Sequence, residues 1–121
     1  MEIKRQEILR RRRLLNEEFR ALSVVPLMRG TIVERVRKCG RSNCVCATDL
    51  KARHKGKYLT VNLGGRLEAV VLRFEDEGPV REAISRYNRL WEIVNGLTGC
   101  EIAELRRRAL ERRRKRRERR T

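Results

Sequence analysis

Aromatic side chains are scarce in this 121-residue chain, where Phe19, Tyr58, Phe74, Tyr87 and Trp91 make up 4% of the total. Apolar residues reach only 40%, so the expected core is thin and mainly aliphatic, which argues against a large enclosed substrate cavity. No segment approaches the roughly 20 consecutive apolar residues of a membrane span, and the N-terminus lacks the apolar block of a secretory signal. A soluble, cytoplasmic protein is expected. Histidine occurs once, as His54. The acids of Glu75-Asp76-Glu77 read as a helix start rather than a catalytic dyad, and no serine has a base partner. With one histidine and no clustered acid dyad, the chain reads as non-enzymatic.

Acidic side chains are also outnumbered: 32 Lys and Arg face 16 Asp and Glu, a formal charge of +16. Such a self-repelling charge is best neutralised by a polyanion, most commonly nucleic acid. The charge is concentrated in two blocks, +7 over residues 29–57 and +9 over 106–121, separated by −3 over 58–105. Two contact surfaces are implied.

Residues 2–22 contain no Gly or Pro and carry Ile8, Leu15, Phe19 and Leu22 along one stripe, which predicts a basic amphipathic helix within 1–24, ending near Ser23 ahead of Pro26. A Cys/His β module is expected over 25–76. In it, β-branched Thr31 to Arg37 reads as a strand, and residues 58–74 as a hairpin turning at Gly64-Gly65. A three-residue loop that adds Arg66 is the preferred register, because it sets Leu63 opposite Leu67, Val61 opposite Ala69 and Leu59 opposite Val71. An amphipathic helix follows over 77–105, with Pro79 in its first turn and an arginine-rich tail over 106–121. Ile84, Tyr87, Trp91, Val94, Thr98, Ile102, Leu105 and Ala109 form a stripe that keeps its phase across Gly96 and Gly99, favouring one long helix over a helix-turn-helix unit. Antiparallel packing against residues 8–22 should cover part of that stripe, and coiled-coil pairing into a homodimer the remainder. The fold class is therefore α+β.

Cys39, Cys44, Cys46 and His54 follow the pattern C-x4-C-x-C-x7-H. Three thiolates and an imidazole make a complete tetrahedral zinc set, and a structural metal would brace a thin core. Arg37, Lys38, Arg41 and Arg53 nearby favour thiolates by Coulomb attraction. Unmetallated packed thiols and redox chemistry are the alternatives. Disulfides fit poorly, because Cys44 and Cys46 are too close to bridge without strain. Cys100 stands alone as a small helix-packing residue.

The run from Met28 to Cys46, with His54 and Tyr58, resembles an uncharacterised family of small basic bacterial and archaeal proteins, often encoded beside mobile-element genes. The resemblance spans about residues 27–94. It implies a β-hairpin and helix architecture with a metal site, and brings no activity with it. Where the family has His-Gly-Pro followed by tyrosines, this chain has His54-Lys55-Gly56-Lys57-Tyr58.

The expected function is phosphate-directed binding of nucleic acid, DNA or RNA. The first block offers Arg35, Arg37, Lys38, Arg41, Lys51, Arg53, Lys55 and Lys57. The second offers Arg106, Arg107, Arg108, Arg112, Arg113, Arg114, Lys115, Arg116, Arg117, Arg119 and Arg120. Arginine's flat fork suits bidentate phosphate contact. Scarce exposed aromatics leave base reading unsupported, with a core role favoured for Tyr58. The alternative is an accessory subunit that oligomerises through its helices and recruits an acidic protein partner.

Overall fold

The structure, a computed structural model, describes residues 4–120. Helix α1 spans Arg5–Ser23, strand β1 Thr31–Arg37, β2 His54–Leu63, β3 Arg66–Leu72, and helix α2 Phe74–Arg120. This is the expected α+β arrangement. The chain forms two compact units, one from residues 28–85 and one from residues up to 27 together with 86 onward.

In the first unit the strands form an antiparallel sheet in the order β1-β2-β3. Tyr58 and Leu59, on opposite faces of the central strand, are its buried side chains, and Ala83 of α2 is buried as well. The hairpin departs from the expected register. Gly64 and Gly65 are the whole loop, so Leu63 lies opposite Arg66, Val61 opposite Glu68 and Leu59 opposite Val70. Both glycines take left-handed conformations, φ 59° and 91°, and Asn62 Oδ1 accepts the Gly65 N–H at 2.8 Å. Such a two-residue turn matches the twist of paired strands. The three-residue alternative rested on a fully buried apolar face, and Leu63, Leu67 and Val71 are all at least half exposed. Turn chemistry therefore decides the register.

Helix α2 begins at Phe74, earlier than Pro79 implies. Arg73 N–H donates to Asp76 Oδ2 at 3.3 Å while Asp76 N–H donates to Arg73 O at 3.0 Å, a reciprocal cap. Pro79 is accommodated in the second turn, where its missing N–H leaves only the Glu75 carbonyl without its helical partner. The helix then runs unbroken through Gly96 and Gly99, which excludes a helix-turn-helix at that point.

In the second unit α1 packs antiparallel to α2, with ion pairs Arg12–Glu101 at 2.7 Å and Arg89–Glu18 at 2.5 Å. The α1 stripe is as expected: Ile8 is buried and Leu15, Phe19 and Leu22 are half-buried. The α2 face is not. Ile93 and Cys100 are buried with Leu90, Gly96, Leu97 and Ala103 beside them, whereas Trp91 and Leu105 are 59% and 61% exposed. At about 100° per residue the stripe expected to meet α1 lies on the opposite side of the helix. A Cβ on Gly96 would stand 3.0 Å from Leu15 Cδ1, so the absent side chain at this position leaves room for Leu15 of α1.

Two outcomes follow. Gly30 has φ +140°, and a Cβ there would meet Leu59 Cδ1 at 2.7 Å and the Thr60 carbonyl at 3.0 Å. Gly30→Ala should lower stability by about 1–3 kcal/mol, read as a reduced urea midpoint. Glu104, hydrogen-bonded chiefly to Arg107 and also paired with Arg108, has its carboxyl lowered from 4.5 to about 2. A value depressed by folding stabilises above pH 4.5 and is lost as pH falls toward 2. Thermal melts across that interval should show a steeper loss of Tm for the unmodified chain than for Glu104→Gln.

Candidate metal centre and basic faces

β1 delivers the chain to Cys39, and Gly40, at φ +84°, reverses it. The 3-10 turn Val45–Ala47 carries Cys46 inward until it is buried, while Cys44 is half-buried just ahead of it. A second such turn, Leu50–Ala52, is capped by Asp49 Oδ1 on the Lys51 N–H. It leads directly into β2. His54 is the first residue of that strand, held opposite Arg37 by the sheet register. The position of His54 is therefore fixed by strand pairing.

The donor atoms of Cys39, Cys44, Cys46 and His54 lie within 4.8 Å of one another. Cys39 Sγ and Cys46 Sγ are 3.5 Å apart, as are Cys44 Sγ and His54 Nε2. A tetrahedral ion with metal–sulfur bonds of about 2.3 Å and metal–nitrogen bonds of about 2.0 Å needs donor separations of about 3.5–3.8 Å. The cluster is thus compatible with one metal ion. The thiols are also differentiated. A backbone hydrogen bond from Cys46, then His54 and the other two cysteine side chains, lowers the Cys44 thiol from 9.0 to about 6. The Cys39 N–H donates to Cys46 Sγ and pulls that thiol down, but burial and the sulfurs of Cys44 and Cys39 outweigh it and leave Cys46 raised. Cys44 is therefore the more readily ionised of the two thiols and Cys46 the less.

Around this cluster Arg35 and Arg37 share a sheet face with His54, Gly56 and Tyr58. Their guanidinium carbons lie 6.0 and 5.6 Å from the centroid of the Tyr58 ring. Tyr58 is 8% exposed, so it serves as a platform for the arginines rather than a free stacking surface. Lys38, Arg41, Lys51 and Lys55 are exposed. Arg53 is half-buried with an unpartnered Nε, and Lys57 is tied to Glu77 at 2.7 Å. In the second block Arg107 bridges Glu104 and Glu111, Arg108 pairs with Glu104, and Lys115 reaches Glu111 at 3.9 Å. Arg106, Arg112, Arg113, Arg114, Arg116, Arg117, Arg119 and Arg120 are exposed on the helix. Lys4 and Arg5, absent from the sequence-based set, line a cleft of about 850 Å³ with Arg106, Arg113, Arg114 and Arg117. Only the antiparallel packing of α1 on α2 brings them there.

The profile of a protein family described as Domain of unknown function (DUF6788) matches residues 5–82. The chain belongs to this family. The family's match covers α1, the sheet and the whole Cys/His cluster, starting earlier and ending earlier than the stretch 27–94 read from motifs. Neither a curated protein nor a solved structure matches the chain. Among the described residues no helix is long and apolar enough to cross a membrane.

Elemental analysis of the protein purified without added metal should find one equivalent of a divalent transition metal, and Cys46→Ser should lose it. At a free-metal level a thousandfold above Kd, binding to the folded state alone stabilises by about 4 kcal/mol. Chelation should lower the Tm accordingly.

Proposed function

We propose that this protein binds nucleic acid without catalysis, through its phosphate backbone, and that zinc ligated by Cys39, Cys44, Cys46 and His54 braces the module carrying the first basic face. The observation that carries this reading is the end of α2. Between Arg106 and Arg120 eleven basic side chains meet two acids, and Glu111 is already engaged by Arg107 and Lys115. Charge of this density on one helix exceeds the acids beside it and favours an external polyanion.

The chemistry of the donor set favours zinc. Thiolates and imidazole in a closed tetrahedron suit an ion without geometric preference of its own, and with all four positions filled its role is structural. Backbone contact is favoured over base reading because Tyr58 is covered by Arg35 and Arg37. The resemblance to proteins encoded beside mobile elements makes DNA the first substrate to test.

The test is fluorescence anisotropy with duplex DNA and RNA of equal length, titrated with salt. Replacing Arg112, Arg113, Arg116, Arg117, Arg119 and Arg120 with Gln keeps helix propensity and removes phosphate contacts. Affinity should fall on every sequence, and the slope of log K against log salt on DNA should become shallower by about 0.9 per lost contact. Replacing Arg41, Lys51 and Lys55 with Ala should instead change the preference between duplex and single strand. If neither variant alters binding, or the unmodified chain retains no nucleic acid at low salt, the reading fails and recruitment of an acidic protein replaces it.

A further inference from the structure

Tyr87, Trp91, Val94, Thr98, Ile102, Leu105 and Ala109 recur along α2 at intervals of four, three, four, four, three and four. That is two eleven-residue repeats, about 3.67 residues per turn, which keep a stripe on one side of a nearly straight helix over about 33 Å. The stripe faces away from α1 and its middle is uncovered, with Trp91 59% exposed, Leu105 61%, Ile102 42% and Val94 38%, while Tyr87 and Ala109 at its ends are half-buried. No charged residue between Tyr87 and Ala109 falls within about 50° of its axis, although 40% of the chain is charged. An uncharged strip anchored by a tryptophan has the composition of an interface core. α2 is thus apolar on two opposite sides, with α1 covering only one.

Between Tyr87 and Ala109 the spacing also reads the same in both directions from Thr98, while Ile84, at the start of the stripe, has Arg112 as its counterpart and lies outside the symmetric stretch. A twofold-symmetric contact requires such self-complementarity, because each residue must meet its counterpart across the axis. We infer that this face joins two copies of the chain antiparallel, with the axis at Thr98. Trp91 then meets Leu105 of the partner subunit, Val94 meets Ile102 of the partner subunit, and Tyr87 meets Ala109 of the partner subunit. Each bulky ring is set against a smaller side chain. A parallel pair would stack Trp91 on its own copy and Ala109 on its own copy. It would also lay the arginine-rich ends of α2, each with eleven basic and two acidic side chains over residues 106–121, side by side. The antiparallel pair carries those ends away from the axis in opposite directions.

The experiment is light scattering of the full chain at 50 μM in high salt after nuclease treatment, so that failure of the nucleic-acid reading leaves it unaffected. The expected mass is twice the 14.4 kDa of one chain. Trp91→Glu and Leu105→Lys, both at exposed positions, should each give a monomer with unchanged helical circular dichroism. An equimolar mixture of the two variants should recover the dimer, because the introduced opposite charges face each other only in the antiparallel register. A monomeric unmodified chain, or single variants that remain dimeric, overturns the interface. A mixture that stays monomeric overturns the antiparallel axis.

Discussion

Apolar burial is the limiting resource of this fold. Among the described residues only Ile8, Cys46, Tyr58, Leu59, Ala83, Ile93 and Cys100 are buried apolar side chains, far fewer than a domain of ordinary composition would hide. Only four of the seven, Ile8, Tyr58, Leu59 and Ile93, are large. Local and specific devices add to them: a glycine turn with an asparagine cap, ion pairs between α1 and α2, and three cysteines and a histidine gathered at one end of a sheet.

Each of these devices positions charge. The sheet register that sets His54 opposite Arg37 also lines Arg35 and Arg37 over the Tyr58 ring, so the donor cluster and its cationic surroundings are built by the same hydrogen-bond ladder. Glu77 pairs with Lys57 and Arg81, and Glu104 pairs with Arg107 and Arg108. The acids of the middle segment thus quiet the cations close to the packed regions. Cations farther along α2 have few acids within reach, and the functional reading rests on that imbalance.

The face of α2 toward α1 carries Gly96, where Leu15 of α1 occupies the space a side chain would fill, whereas the aromatic residues Tyr87 and Trp91 belong to the other side of α2. A helix with two apolar sides and one covering helix has an unsatisfied surface. The symmetric spacing around Thr98 and the segregation of arginine to one end of α2 both bear on how that surface is met.

Much of this was legible in one dimension. Thr31 to Arg37 announced a strand by β-branching, residues 5–23 a helix by the stripe from Ile8 to Leu22, and the four metal-ligand candidates by residue type and spacing. The chain alone also determined the two blocks of positive charge, because charge is a property of composition. Three matters were decided only in three dimensions. The hairpin register followed the left-handed glycines and the Asn62 cap rather than the apolar pairing, since the face in question is open to solvent. His54 became part of a strand through pairing with β1, for which His-Lys-Gly-Lys carries no local signal. The face of α2 that meets α1 is the one with Ile93, Gly96 and Cys100, not the one with Trp91 and Leu105. Periodicity shows that a helix has apolar sides, but which of two such sides is covered depends on the shape of a neighbour distant in the chain.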